Sequence, residues 1–435
     1  MSKNNFPRVF LNKKEEDEIK QGFPWVFDNE ISYIKHRDNP TDEWKNESLK
    51  NTSLQDGSAV EVYTNAGGFL ATGIFNKKSK ITVRIIGFEH ADKIYENINL
   101  YWENIVRSAF ELRKMHFAPN DSYRLIFAEA DFVPGFICER FCTEENKVYL
   151  VVQFLSLSCE VFRKELLSAL IKLCKPDGIY ERSDASVRDK EGLPLRAGWL
   201  DLSSEEFDIS KKTDVKDSII IVENGIKLCV DIVNGQKTGY FLDQKFNRRE
   251  IAKYCKGKAV LDTFTHTGAF GLNAFKAGAD SVVSVDISPE AVEIVNKNIK
   301  LNGADKKMTA VCADVFDLLK KYESEDKKFD VIILDPPAFT KSAKMIEKAY
   351  GGYKEINLRA MRLLNKGGIL VTCSCSYFME ANMFCDMLMH AAVDSHKRVQ
   401  ILEKRGAGFD HPVLLGYPKS EYLKCVICRV DYSFF

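Results

Sequence analysis

Apolar positions recur along this chain in three rhythms, and the changes of rhythm divide it. Up to residue 90, short alternating runs stand between turn residues: Val60 to Tyr63 alternates, Asn65-Ala66-Gly67-Gly68 reads as a hairpin turn, Phe69 to Phe75 returns, and Lys80 to Ile86 forms another strand. This predicts a small all-β barrel over residues 1–90. A polar stretch between Lys35 and Gln55, nearly devoid of aliphatic residues, reads as an exposed loop. Over residues 97–215, Leu100 to Met115 and Cys159 to Cys174 have helical spacing, whereas Lys147 to Leu155 reads as a strand. That mixture predicts a central α+β domain. Residues 216–435 alternate regularly. Strands end at Asp262, Asp286, Cys312, Asp335 and Cys375, with helical patterns such as Gly268 to Ala277 and Pro289 to Leu301 between them. Such alternation predicts an α/β fold with a doubly wound parallel sheet.

Composition narrows the classes. With 435 residues, 45% of them hydrophobic, the chain can bury a core in each domain, which excludes a disordered chain. Lys+Arg and Asp+Glu each number 62, so no net field draws in a polyanion, and any nucleic-acid contact must come from local patches. No hydrophobic leader opens the sequence and no run of about 18 apolar residues could span a bilayer. A cytoplasmic protein without membrane contact is expected. The 12 cysteines sit mostly inside apolar runs, as Cys229, Cys255 and Cys312 do, which suits reduced thiols. Cys425 and Cys428 have C-x-x-C spacing, but they lie in a strand pattern and no second pair completes a zinc site. No metal is expected.

Two strand ends carry chemistry. Val331 to Phe339 reads V-I-I-L-D-P-P-A-F, and a later strand ends in Val371-Thr372-Cys373-Ser374-Cys375-Ser376. Open α/β sheets bind ligands at such ends. The turn from Asp262 through Phe264, Thr267 and Gly268 to Gly271 is not G-x-G-x-x-G, and its glycines come too few and too late to seat a pyrophosphate. Asp286 closes the next strand, where it can accept bonds from ribose hydroxyls, and Asp314 follows the third, where it can meet an adenine amino group. Each aspartate alone is equally a turn or cap residue. In series, three acids suit a ligand with an adenosine and a cation, and S-adenosylmethionine is the expected cofactor.

With these motifs the chain resembles the RlmI-type rRNA cytosine-5 methyltransferases, a class I family acting on large-subunit ribosomal RNA. Gly235-Gln236-Lys237-Thr238-Gly239-Tyr240-Phe241-Leu242-Asp243-Gln244, with Asn247-Arg248, is similar to the family signature before the cofactor domain. Gly22-Phe23-Pro24-Trp25-Val26-Phe27 resembles the start of its PUA domain, an RNA-binding β-barrel. Arg124 to Asp131, Pro134-Gly135 and Tyr180 to Ser183 resemble its central domain, and Asp410-His411-Pro412 with Tyr422-Leu423-Lys424 its C-terminal end. The stretch from 35 to 55 is the chief departure.

The resemblance implies a Rossmann-like methyltransferase domain behind a PUA-like barrel, with ribosomal RNA as partner; a homodimer is compatible with it. It implies Asp335 as the acid that contacts the cytosine while also lying at the cofactor. Pro336, Pro337, Phe339 and Arg248 are implied on the substrate side, and Gln236, Lys237 and Arg248 at the cofactor entrance. Carbon 5 of cytosine is too weak a nucleophile to take a methyl group until a thiolate adds at carbon 6. Cys373 and Cys375 point to the same side of their strand, and the family's T-x-S-C-S pattern selects Cys375. No cysteine follows the D-P-P, so the base that removes the carbon-5 proton is unassigned, and His266 is given no role. The alternatives are a guanine-N7 or amino methyltransferase of the same fold, and a non-catalytic RNA-binding or ribosome-assembly protein.

Overall fold

The computed structural model describes residues 6–37, 39, 41–203, 213–340 and 342–432. The chain forms two compact units, one of residues 1–217, 232–238 and 409–420, the other of 218–231, 239–408 and 421–435.

The first unit holds two sheets. One has seven strands, running from Trp25–Phe27 at one edge through Ile81–Gly87, Phe69–Phe75, Ala59–Tyr63, Arg8–Leu11 and Ile31–His36 to Lys45–Glu47. Its alternating positions are buried because one face packs on a single core of Val9, Leu11, Ile34, Val60, Val62, Phe75 and Val83. The last strand corrects the loop expected between Lys35 and Gln55. Lys45, Asn46 and Glu47 pair with His36, Lys35 and Ile34, and buried His36 sets its Nε2 2.8 Å from Glu47 Oε2. Three polar residues bonded through their backbone carry no apolar period, so the pattern could not announce them. The other sheet orders Arg196–Trp199, Gly178–Ser183, Val148–Phe154, Phe136–Cys142 and Tyr123–Phe127, beside helices Ile98–Lys114 and Arg163–Cys174. Buried Arg84, on the first sheet, bonds Glu129 at 3.1 Å and Glu191 at 2.9 Å. Removing Arg84 would leave two buried carboxylates without their cation, so the cluster acts as a lock between the sheets.

In the second unit an antiparallel hairpin, Ser218–Glu223 with Ile226–Asp231, precedes helix α1 (Lys245–Ile251). The sheet follows: β1 (Ala259–Thr263), α2 (Ala269–Lys276), β2 (Ser281–Asp286), α3 (Pro289–Leu301), β3 (Met308–Cys312), α4 (Val315–Ser324), β4 (Phe329–Leu334), α5 (Ile346–Leu363), β5 (Leu364–Ser374), α6 (Ala381–Asp394), β6 (Lys397–Arg405) and β7 (Lys424–Tyr432). The strand order is β3-β2-β1-β4-β5-β7-β6, and only β7 runs against the others. Val331 to Leu334 of β4 are wholly buried, as a central strand covered on both faces requires. The order reverses between β1 and β4, the place where such sheets open a crevice at the carboxyl ends of their strands. No helix among the described residues is long and apolar enough to cross a membrane, and none of the cysteines forms a disulfide.

Candidate active site

Asp262 on β1, Asp286 at the end of β2, Asp335 just past β4 and Cys375 just past β5 share one edge of the sheet, brought there by the parallel register of these strands.

The turn after β1 is built by its aspartate. Asp262 is fully buried, and its Oδ2 accepts from Thr265 Oγ1, from the Gly271 amide at 2.9 Å and from Ser284 Oγ at 3.0 Å. Burial pushes the carboxyl up to about 6 against these bonds, and Asp286 adds to the push. Oδ1 has no partner among the described residues. A lone buried acceptor of this kind is costly, which suits it to a cationic or hydrogen-bond-donating ligand group. A β-carbon on Gly271 would stand 2.5 Å from Ser284 Oγ and 3.0 Å from Asp262 Oδ2, so the close approach requires glycine. Phe264 and His266 hold φ of 56° and 53°, a left-handed backbone that side-chain-bearing residues avoid. Asn298 Nδ2 donates to the Thr267 carbonyl at 2.8 Å, and Gly268, at φ 80°, caps α2. These contacts hold the strained turn open.

Asp286 takes one backbone N–H on each oxygen, His266 on Oδ2 at 2.9 Å and Ser288 on Oδ1 at 3.0 Å. A carboxylate oxygen accepts about two bonds, so each keeps a lone pair for a vicinal diol. Asp314 is different. It is exposed and caps α4, its Oδ1 accepting from the Phe316 and Asp317 amides at 2.7 and 3.3 Å. The orphaned Asp262 oxygen, the open lone pairs of Asp286 and the absence of a glycine cradle together fit the donor set of S-adenosylmethionine.

Asp335 lies at the mouth of the D-P-P turn, with Pro336 buried and Pro337 exposed. Burial, helped by the Asp243 carboxylate, pushes Asp335 up to about 7, while Arg248 and the Gln244 amide pull the other way. Gln244 Nε2 donates to Asp335 Oδ1 at 2.8 Å. A carboxyl group poised near neutrality can hold or release a proton under working conditions.

The two thiols separate cleanly. Cys373 is fully buried opposite Cys425 on β7, and that neighbour together with burial drives its pKa far up. Such a thiol is inert. Cys375 lies one residue past β5, half-buried, its Sγ 4.0 Å from the Pro336 carbonyl. Tyr353 and Ser376 share a hydroxyl hydrogen bond of 2.9 Å, and Lys424 Nζ donates to the Ser376 and Tyr422 carbonyls, each at 2.7 Å. These bonds fix the loop that carries Cys375. Burial brings Lys424 down to about 8, against the pull of Cys375.

Two sequence expectations change. Arg248 is buried, not open to substrate: its Nε donates to Glu223 Oε1 at 2.6 Å, its Nη2 to Glu223 Oε2 at 3.0 Å and to the Phe241 carbonyl at 2.8 Å, and its plane lies 4.6 Å from the Tyr240 ring. Phe339 packs against Tyr353, Phe316 and Phe264 at centroid distances of 4.5, 5.9 and 6.4 Å, so it serves the core under the turn rather than a substrate face. Gln236 and Lys237 are exposed and belong to the first compact unit. Gln244 and Lys424 lie within the quoted motifs but gained no role from pattern alone, because what marks them is a partner distant in sequence.

The S-adenosylmethionine-dependent methyltransferase family matches residues 208–409, and a PUA-like domain matches residues 9–88. Over 427 residues the chain is 39% identical to ribosomal RNA large subunit methyltransferase I of Aliivibrio fischeri, covering 97% of this chain and 99% of that one. The protein of the same name from Photobacterium profundum is 39% identical over 426 residues, with 97% and 99% covered. Among solved structures, a SAM-dependent methyltransferase from Streptococcus mutans superposes with a TM-score of 0.75 at 21% identity, covering 97% of this chain and 99% of its own. A methyltransferase solved in complex with SAH gives a TM-score of 0.76 at 20% identity, with the same coverage. These likenesses carry the fold across the whole chain.

Proposed function

Because the chain belongs to the ribosomal RNA large subunit methyltransferase I family, whose members are S-adenosylmethionine-dependent, we propose that it methylates carbon 5 of a cytosine in large-subunit ribosomal RNA through a bond between Cys375 and carbon 6. The observation that carries this reading is the pairing of an accessible thiol with a near-neutral carboxyl at adjacent strand ends, with Cys375 Sγ 4.0 Å from the carbonyl of the D-P-P turn.

Bound S-adenosylmethionine supplies an electrophilic methyl group. The chain's residues do the rest. Asp286 receives ribose hydroxyls, and the open oxygen of Asp262 receives a donor group of the cofactor. Lys424, a cation beside the Cys375 loop, favours the thiolate. As the thiolate adds to carbon 6, Asp335 presents a proton to N3, and charge moves onto the ring without a free anion forming. Carbon 5, now enamine-like, takes the methyl group; water or another base then takes the carbon-5 proton, the thiolate leaves carbon 6, and N3 returns its proton to Asp335, giving 5-methylcytosine. The PUA-like barrel of residues 1–90 holds RNA, in the cytoplasm where ribosomal RNA is made and used.

The test is mechanism-based trapping. RNA containing 5-fluorocytidine at the target stalls after methyl transfer, because fluorine does not leave as a proton, and a covalent protein–RNA band results. Cys375→Ala should lose both the band and methylation, and Cys373→Ala should keep both. A band that survives in Cys375→Ala and vanishes in Cys373→Ala refutes the assignment. Methylated product with no band from the wild-type protein points to transfer to a ring nitrogen instead.

A further inference from the structure

Asp335 is approached by an ordered chain of hydrogen bonds that begins at the far edge of the sheet. Arg405, the last residue of β6, donates from Nε to Asn247 Oδ1 at 2.9 Å. Asn247 Nδ2 donates to Gln244 Oε1 at 2.7 Å, and Gln244 Nε2 donates to Asp335 Oδ1 at 2.8 Å. The direction is not a matter of how the amides are drawn. A guanidinium can only donate, so the Asn247 atom that meets it must be the carbonyl oxygen. Asn247 Nδ2 also donates to the Gly406 carbonyl at 3.0 Å, and a carbonyl can only accept, which sets the same orientation independently. With Asn247 locked from both ends, Gln244 must present its oxygen to Asn247 and its N–H groups to Asp335. Asn247 is almost wholly buried, and so is Gln244, so water does not offer either amide an alternative partner.

We propose that Arg405, Asn247 and Gln244 are positioning residues that hold Asp335 Oδ1 as an acceptor and leave Oδ2 to carry the proton offered to the pyrimidine. The proposal rests on the reading that Asp335 faces N3 of the target base. It adds a basis for choosing that base. An acid whose Oδ1 is filled by an amide N–H and whose Oδ2 bears a proton meets N3 of cytosine, a lone pair, as donor to acceptor. It meets the N3–H of uracil as donor to donor. Were Gln244 to turn over, its oxygen would face Oδ1 and draw the proton there, away from the base. Arg405, half-buried and remote from the reacting atoms, therefore secures the polarity of a proton delivered from β4.

The measurement is the pH profile of single-turnover methylation of the target RNA, with affinities for S-adenosylmethionine and RNA measured alongside. Gln244→Met removes the N–H that holds the Asp335 pKa down, so the alkaline limb should move up by about one pH unit, with a lower plateau rate. Arg405→Met leaves Gln244 intact but removes one of the two groups that fix Asn247, so the orientation is held by the Gly406 carbonyl alone. Its rate should fall several-fold at unchanged cofactor and RNA affinity, and Arg405→Lys, another pure donor, should restore most of it. Incorporation into otherwise identical RNA with uridine at the target should rise relative to cytidine in Arg405→Met. An alkaline limb unmoved in Gln244→Met overturns the proposal, and so does an Arg405→Met enzyme with the wild-type rate and cytidine preference. Asp335→Asn separates the two readings: if that variant keeps the full rate, Asp335 is not the acid at all, whereas a dead Asp335→Asn with an indifferent Gln244→Met refutes the chain alone.

Discussion

Replacing Arg248 with Met should unfold the second unit more easily and leave substrate recognition in the surviving folded protein intact. In the wild type the guanidinium makes a two-pronged bond to Glu223, at 2.6 and 3.0 Å, and a third bond to the Phe241 carbonyl at 2.8 Å. Glu223 is itself 2% exposed, and without Arg248 it would keep only the Tyr240 hydroxyl, at 2.8 Å. Removing one member of a buried pair costs about 3–5 kcal/mol, because the other charge stays in the low-dielectric interior without compensation. Two lost bonds to a charged group, at about 1.5–3 kcal/mol each, reach the same range. Adding Glu223→Gln to Arg248→Met should recover a good part of the loss, since the second change removes the stranded charge. All four tryptophans, Trp25, Trp44, Trp102 and Trp199, lie in the first unit, so their fluorescence would miss the effect. Urea titration followed by amide hydrogen exchange in the Ser218–Asp231 hairpin reads it directly. Unchanged protection in Arg248→Met, together with weakened RNA binding, would refute this reasoning and return Arg248 to the substrate.

Other outcomes follow from the same geometry. Asp286→Ala removes the acceptor expected to meet the ribose hydroxyls and should weaken S-adenosylmethionine binding by about 1.5–3 kcal/mol in calorimetry, whereas wild-type affinity would move the cofactor away from β2. Gly271→Ala forces a methyl group to within 2.5 Å of Ser284 Oγ; it should cost about 1–3 kcal/mol of stability and lower cofactor affinity with it, and an unaffected melting temperature would mean that the turn yields freely. Asp335 has its folded pKa raised from an ordinary 3.8 to about 7, so its neutral form favours folding: that contribution is complete below about pH 3.8 and is lost as pH rises through about 7. Asp335→Asn cannot ionise and should therefore gain stability relative to wild type between pH 5 and pH 8, by about 2 kcal/mol after allowance for partial exposure; parallel pH–stability curves for the two proteins would contradict the raised pKa.

How much of this was legible along the chain depended on whether burial or partnership marked a residue. β1 and β4 are covered on both faces, so Val260-Leu261 and Val331 to Leu334 stand out as continuous apolar runs that end in an aspartate or close to one. β6 and the Lys45–Glu47 strand lie at sheet edges. Their residues are mostly solvent-facing, and backbone pairing, which leaves no periodic trace, is what makes them strands.

At the strand ends the same division decides which side chains could be read. Cys375 and Cys373 differ through strand direction, because a residue just past the end of a central strand is half-buried while one two positions earlier is fully buried. Asp286 likewise stands where any β2-terminal acid of this fold must stand. Arg248 misleads because a charged residue after a glycine-rich stretch reads as solvated, and its partner Glu223 lies 25 residues upstream in another hairpin. Gln244 and Asp335 are 91 positions apart, and Arg405 and Asn247 are 158 apart. No local pattern records such pairs. Yet each acts only because a partner's hydrogen-bonding capacity is restricted to one sense, donor or acceptor, so the chemistry of Asp335 is set by a constraint that begins on β6. An acid at the end of β4 is therefore not by itself evidence for proton delivery. The evidence is the acid together with a donor that cannot turn round.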